Sequence, residues 1–255
     1  MLPLERKQEI VKLIINNKSI KVNEMSSLFN VTEETIRRDL EKLEKENILK
    51  RTYGGAVVIE TPGEDLSFFE RVREHMDEKK KLAKYVAEFI KDGDTIMLDS
   101  STTALEVGKT IQDDRQVTII TNSLNACLEL SANSHLKIIS IGGILNTRNM
   151  SFEGPAAVKN LNNYYADKVI FSCKGVDFER GIMESSEYVA EIKQGMIQSA
   201  KQVILVVDQS KFDKTSLVRI DDFCKVDVLI TNLKIDERWM SQLEKYDIQV
   251  IVIEE

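Results

Sequence analysis

Two sets of side chains in this chain of 255 residues have types and spacings that could do chemistry. The first is cationic. Arg37, Arg38 and Lys42, with Thr35 beside them, fall on one helical stretch, and Lys50 and Arg51 follow on a hairpin. A guanidinium fork pairs with guanine O6 and N7 or with a phosphate, so this set suits recognition of double-stranded DNA. The second set lies at the ends of short apolar runs. It comprises Asp99-Ser100-Ser101-Thr102-Thr103, Thr121-Asn122-Ser123, Gly142-Gly143, Lys174-Gly-Val-Asp177 and Asp208-Gln-Ser-Lys211. Hydroxyls and backbone N–H groups where a helix opens suit a phosphate, and a glycine pair lets backbone approach a ligand closely. Each segment taken singly also fits a capped strand-to-helix turn. Five of them on one rim point to a sugar-phosphate or nucleotide pocket.

The cations need a helix to carry them. In Val31-Thr-Glu-Glu-Thr-Ile-Arg-Arg-Asp-Leu-Glu-Lys-Leu, the residues Ile36, Leu40 and Leu43 form a buried stripe at i, i+4 and i+7. Glu34, Arg38, Lys42 and Lys45 lie opposite, with Thr35 and Arg37 on the flanks. Thr32 stands where an N-cap is wanted, and Glu33 and Glu34 complement the helix dipole. The same helix could instead be a solvated surface helix laced with i, i+4 ion pairs. Its context favours DNA. Pro3 to Asn16 predicts an amphipathic helix with Ile10, Leu13 and Ile14 inward, and Ser19 to Val22 predicts a short extended stretch. Asn23 then caps a helix over 24–29, and Asn30-Val31 turns into the cationic helix. Ile48 to Val57 predicts a wing with a glycine tip. The sum is a winged helix-turn-helix over residues 1–58.

The pocket needs a sheet. Apolar β-rich runs stand at 95–98, 117–121, 137–141, 169–172, 202–207, 228–230 and 249–253. Helical patterns precede them at 77–91, with Leu82, Val86, Phe89 and Ile90 inward, and alternate with them at 103–111, 123–131, 187–200 and 236–246. This alternation predicts an α/β domain over 66–255, a doubly wound and mostly parallel sheet whose ligand lies beyond the strands' carboxyl ends. Residues 59–65, the Pro-Gly segment, read as a linker. No G-x-G-x-x-G or P-loop is present, which disfavours dinucleotides and P-loop chemistry.

Charge divides in the same way. Residues 1–60 carry 11 Lys+Arg against 10 Asp+Glu, and the remainder carries 24 against 32. The acidity therefore belongs to the second part. The first part is too nearly neutral to bind DNA tightly alone, so a homodimer or homotetramer is expected. Cys127, Cys173 and Cys224 form no CxxC pair, and His75 and His135 have no partner at ligand spacing. No metal and no cofactor are expected, and a reducing, cytoplasmic location is. No apolar run approaches a membrane span, and no secretory leader is evident.

The chain resembles the DeoR/GlpR family of bacterial transcription regulators over nearly its full length. The resemblance rests on Thr35-Ile-Arg-Arg-Asp-Leu40 with Arg51-Thr-Tyr-Gly-Gly-Ala56, and on the ordered strand-end set above, ending Asp208-Gln-Ser-Lys-Phe212. It implies an effector domain similar to ribose-5-phosphate isomerase, and a non-enzymatic, DNA-binding repressor of a sugar-catabolic operon that answers to a phosphorylated sugar. By the same resemblance Ser100 to Thr103 hold the phosphate, and Asp99, Lys174, Asp177, Asp208 and Lys211 line the sugar end. Ser101 replaces a glycine usual in the family; if that position needs positive φ, serine is a poor substitute. Phe171-Ser-Cys-Lys-Gly175 is similar to members that handle deoxyhexoses, which implies a deoxyhexose ketose 1-phosphate. The competing expectation is a sugar-phosphate isomerase with an appended DNA-binding domain, in which Asp177, Glu187, Lys174 and Lys193 would supply acid and base groups.

Overall fold

The computed structural model describes residues 3–17, 19–45, 49–58 and 66–253. The expected linker at 59–65, and Ile48 at the start of the wing, lie outside the described residues. The chain divides into two compact units, Met1–Glu70 and Arg71–Glu255.

The first unit contains α1 (Pro3–Asn17), β1 (Ser19–Lys21), α2 (Val22–Phe29), α3 (Glu33–Lys45), β2 (Leu49–Thr52) and β3 (Gly55–Val58). Ile10 and Ile14 of α1, Met25 of α2 and Ile36, Leu40 and Leu43 of α3 close over one core with Ile20, Leu49 and Ala56. Leu13 packs against that core and is only partly buried. The hairpin gains a third strand, because β1 pairs with β3 and gives the order β1-β3-β2. This pairing explains Gly55, whose Cβ would lie 2.1 Å from the carbonyl oxygen of Ile20. Gly54 at the tip has φ +91, open to glycine at no steric cost. The start of α2 differs from expectation. Val22 is buried and donates its N–H to Gly54 O at 2.9 Å, so the extended stretch ends at Lys21 and the helix begins one residue before Asn23. Asn23 sits inside the first turn, where its carbonyl accepts the Ser26 and Ser27 hydroxyls.

α4 (Phe68–Arg73) carries the chain across the division, and α5 (Met76–Ala87) opens the second unit. There β4 (Thr95–Leu98), β5 (Val117–Thr121) and β6 (Leu136–Ser140) alternate with α6 (Thr102–Lys109) and α7 (Leu124–Leu130). The hairpin β7 (Ile144–Asn146) and β8 (Ser151–Glu153), α8 (Pro155–Leu161) and β9 (Ala166–Phe171) follow. Then come β10 (Gly175–Asp177), β11 (Gly181–Glu184), α9 (Glu187–Gln198) and β12 (Ala200–Val207). β13 (Val218–Asp221), β14 (Val228–Thr231), α10 (Glu237–Glu244) and β15 (Gln249–Val252) complete the unit.

All seven expected strands form one parallel sheet, ordered β15-β14-β12-β9-β4-β5-β6. From β4 the chain winds outward to β6, then returns to β9 and winds to β15. The order therefore reverses between β4 and β9, and that is where a doubly wound sheet opens a crevice. β10, β11 and β13 add a small antiparallel sheet beside it. Trp239 of α10 anchors the far end, fully buried and edge-on to Phe212 with centroids 5.1 Å apart. α5 ends at Ala87, four residues before the expected Lys91. Arg115 caps it there by donating to the Ala87 and Ile90 carbonyls at 3.1 and 2.6 Å. Among the described residues, no helix is long and apolar enough to cross a membrane.

Candidate functional site

On α3, Thr32 caps the helix by accepting the Thr35 N–H at 3.3 Å. Arg37, Arg38 and Lys42 are exposed and Thr35 is half-buried. Arg37 and Arg38 reach back one turn to Glu33 at 2.7 Å and Glu34 at 3.4 Å, solvated pairs of little net strength. On the wing, Lys50 is exposed. Arg51 lies against α3, where its Nε and its backbone N–H both donate to the Glu44 carboxylate at 2.7 and 2.8 Å. These bonds hold the Glu44 carboxyl below its usual range and raise the guanidinium. Arg51 thus pins the wing to the helix as well as offering charge. Asp39, the acidic residue of the Arg-Arg-Asp run, is buried and receives Arg6 Nε at 2.7 Å.

In the second unit the β4 end and the β9 end meet. Ser101 N-caps α6: its Oγ accepts the Ala104 N–H at 3.0 Å and donates to Asp99 Oδ1 at 2.5 Å. Its φ is −74, so the position needs no glycine, and the expected strain is absent. Asp99 is nearly inaccessible. Its other oxygen accepts the Ser172 N–H at 3.4 Å and faces the Lys193 ammonium at 3.2 Å. Lys193 also donates to Ser172 O at 2.7 Å and to Glu184. Burial opposes charge on both partners, yet Glu184 and Asp99 outweigh it and raise the Lys193 pKa, while Lys193 lowers that of Glu184.

Above this buried triad lies a small, partly open concavity of about 40 Å³. One side is the start of α6, with Ser101, Thr102 and Thr103. The other sides present Lys79, Lys174 and Lys211. A second, adjoining lobe shares Ser101, Lys174, Glu184 and Lys193 and adds the neutral polar groups of Ser100, Asn149 and Ser185. Lys79 donates to the Arg71 and Glu74 carbonyls, each at 2.6 Å, and its pKa is lowered to about 8 by burial and by the Lys211 charge. Burial also pushes the Cys173 thiol up to about 12. The arrangement is a cationic lobe at a helix N-terminus joined to a hydroxyl-rich one.

Of the residues the sequence singles out, Ser100, Ser101, Thr102, Thr103, Lys174 and Lys211 line these lobes, with Asp99 directly beneath. Asp208 is buried below Lys211 and accepts the Ser210 N–H at 2.8 Å. Asn122 is buried beside Ser100 at 3.4 Å, with its Oδ1 unpartnered. The structure does not bring Gly142, Gly143 or Asp177 to the lining. Gly143 has φ +120, and its Cβ would lie 2.7 Å from Glu153 O, so glycine there answers to packing against β8. Asp177 accepts the Glu179 and Arg180 N–H groups and holds the β10–β11 turn. Lys79, Glu184 and Asn149 line the lobes as well, outside the residues the sequence singles out. For two cations a signal exists: Lys79 shares the buried stripe of α5 with Leu82, Ala83 and Val86, and Lys193 shares that of α9 with Val189, Ala190, Met196 and Ile197. A lysine on an otherwise apolar stripe is buried only with partners.

Residues 6–62 match the DeoR-like helix-turn-helix domain, and residues 74–233 match the DeoR C terminal sensor domain. The chain is 42% identical over 253 residues to the protein named "Uncharacterized HTH-type transcriptional regulator YulB" of Bacillus subtilis, covering 99% of this chain and 98% of that one. It is 32% identical to the HTH-type transcriptional repressor GlcR of the same organism, covering 98% and 96%. It is 30% identical to the L-fucose operon activator of Haemophilus influenzae, covering 97% and 99%. Among solved structures, ribose 5-phosphate isomerase A of Methanocaldococcus jannaschii overlaps 55% of each chain at 18% identity and a TM-score of 0.41, a likeness of fold alone.

Proposed function

The chain belongs to the DeoR family of transcriptional regulators, and on that premise we propose that it represses a sugar-catabolic operon and that a phosphorylated sugar sets its hold on DNA. The observation that carries this reading is the cationic lobe at the α6 N-terminus, placed where the strand order reverses. A phosphate there would meet the Thr102 and Thr103 hydroxyls, the first N–H groups of α6 and the Lys174 and Lys211 ammonium groups. The sugar would extend over Ser100, Asn149 and Ser185 with Glu184 at its side. Deoxyhexose ketose 1-phosphates are the first class to test, on the strength of Phe171-Ser-Cys-Lys-Gly175.

DNA contact falls to Thr35, Arg37, Arg38, Lys42, Lys50 and Arg51. A homodimer or homotetramer in the cytoplasm would place several such units on one operator and offset the weak charge of each. The non-enzymatic reading is supported by how the acid–base candidates are engaged. Asp177 is spent on a turn, and Lys193 is neutralised between two buried carboxylates. A thermal-shift screen of the full chain tests the reading. Sugar phosphates should raise Tm where the free sugars do not. A shift produced equally by the unphosphorylated sugars would reject a phosphate-led site.

A further inference from the structure

Lys79 is buried in the wall of the cationic lobe, yet no carboxylate among the described residues pairs with it. Two of its three ammonium donors go to the neutral carbonyls of Arg71 and Glu74. That leaves one donor for the lobe. The charged groups around it are Lys211 and Asp208 at the β12 end, and Arg71 and Glu74 on the segment before α5. Lys174 after β9 shares the lobe, and beneath it the Lys193–Glu184 pair is internally neutralised. Burial, Lys211 and Arg71 thus hold the Lys79 ammonium down, against Asp208 and Glu74.

We propose that a phosphate dianion enters this lobe together with a proton taken from solvent onto Lys79, so that effector binding is linked to pH through this one residue. The inference rests on the phosphate-led reading of the pocket. Its chemistry is simple. Without the dianion, burial and Lys211 hold the ammonium to a pKa of about 8, so near that pH about half of the lysines lack their proton. The two negative charges favour the protonated form and restore the ordinary lysine behaviour. Binding of the dianion itself is then strongest below pH 8. It weakens above it toward tenfold per unit of pH, until the pKa of the occupied site is reached. Lys79 also grips Arg71 and Glu74, at the N-terminal edge of the sensor unit, so its charge state bears on the segment leading to the DNA-binding unit.

Isothermal calorimetry of the full chain with inorganic phosphate at pH 8, in two buffers of different ionisation enthalpy, reads proton uptake directly. The native chain should take up about half a proton beyond any change in phosphate itself. Lys79→Arg, permanently charged, should still bind phosphate but take up none at this site. Lys79→Met should bind at least tenfold more weakly, and thermal unfolding reports whether it remains folded. If phosphate binds and the Lys79→Arg variant takes up as much as the native chain, the proton linkage is overturned while the pocket assignment stands. If neither inorganic phosphate nor any sugar phosphate binds the native chain, the pocket assignment falls and the linkage with it.

Discussion

Arg6 Nε and Asp39 Oδ2 lie 2.7 Å apart, joining α1 to α3 with both side chains less than a tenth exposed. The Arg-Arg-Asp run thus divides its work: two residues face solvent and the third is a buried strut. Removing one partner of such a pair leaves the other charge unpaired and typically costs about 3–5 kcal/mol. Arg6→Ala should therefore abolish operator binding through loss of fold. Hydrogen exchange should show the amides of α1 and α3 losing protection together. The double variant Arg6→Met/Asp39→Leu should recover most of that protection. If the double variant is as unprotected as the single one, the pair is not what holds the helices.

Arg38→Ala should weaken specific operator binding by about 1–3 kcal/mol, the worth of one bidentate base contact. Its guanidinium is exposed and only loosely tied to Glu34. Lys50→Ala should weaken all DNA sequences alike and lower the salt dependence by about one counterion. Mobility shifts at several salt concentrations separate the two. A Lys50 variant that changes base preference while keeping its salt slope would move the wing off the phosphates.

The sensor unit should fold and bind ligand alone when residues 66–255 are expressed, since Arg71–Glu255 forms its own compact unit. Retained phosphate binding without operator binding is the expected outcome. A fragment that melts only in the presence of residues 1–58 would contradict it.

Much of this architecture is legible from periodicity. The seven parallel strands stand out because a strand covered on both faces is a continuous apolar run, as Val203 to Val207 shows with every residue buried. The stripe Ile36, Leu40 and Leu43 is legible for the same reason. The small elements are not. β7, β8, β10 and β13 are only three or four residues long, too short to display a period. For the site, the hydroxyls opening α6 could be read from their place between strand and helix. Glu184 could not, because its role depends on Lys193, nine positions on in α9. Nor could the engagement of Asp177, which a turn and a ligand would use with the same carboxylate oxygens.

The triad beneath the pocket makes a pH prediction. The Glu184 carboxyl is held below its ordinary range, so its contribution to stability is present above about pH 4.5 and is lost as pH falls through its folded value. Lys193→Met leaves Asp99 and Glu184 buried together without their cation, at a cost of about 3–5 kcal/mol near neutrality. One carboxyl must then hold a proton, and its pKa rises. Stability of the variant should therefore increase on acidification from pH 8 to pH 5, a window in which the triad gives the native chain no trend. The fluorescence of Trp239, buried in the same unit, reports denaturant unfolding at both pH values. A variant whose stability does not rise between pH 8 and pH 5 would place the coupling elsewhere.

Ser101 and Thr102 separate support from recognition. Ser101 both caps α6 and donates to Asp99, so Ser101→Ala should cost about 1 kcal/mol of stability, whereas Ser101→Gly should cost only a few tenths. The backbone at φ −74 accepts either residue without strain. Thr102 makes no such cap but lines the lobe. Thr102→Val removes its hydroxyl at nearly constant shape. A hydrogen bond to a charged oxygen is worth about 1.5–3 kcal/mol, so sugar-phosphate affinity should fall on the order of tenfold to a hundredfold. Operator affinity without ligand should stay close to native, because a ligand shifts an equilibrium only through its own differential binding. Calorimetry and mobility shifts on the same preparation test both halves. Unchanged ligand affinity in Thr102→Val would make the start of α6 a structural turn and put the phosphate elsewhere in the cationic lobe.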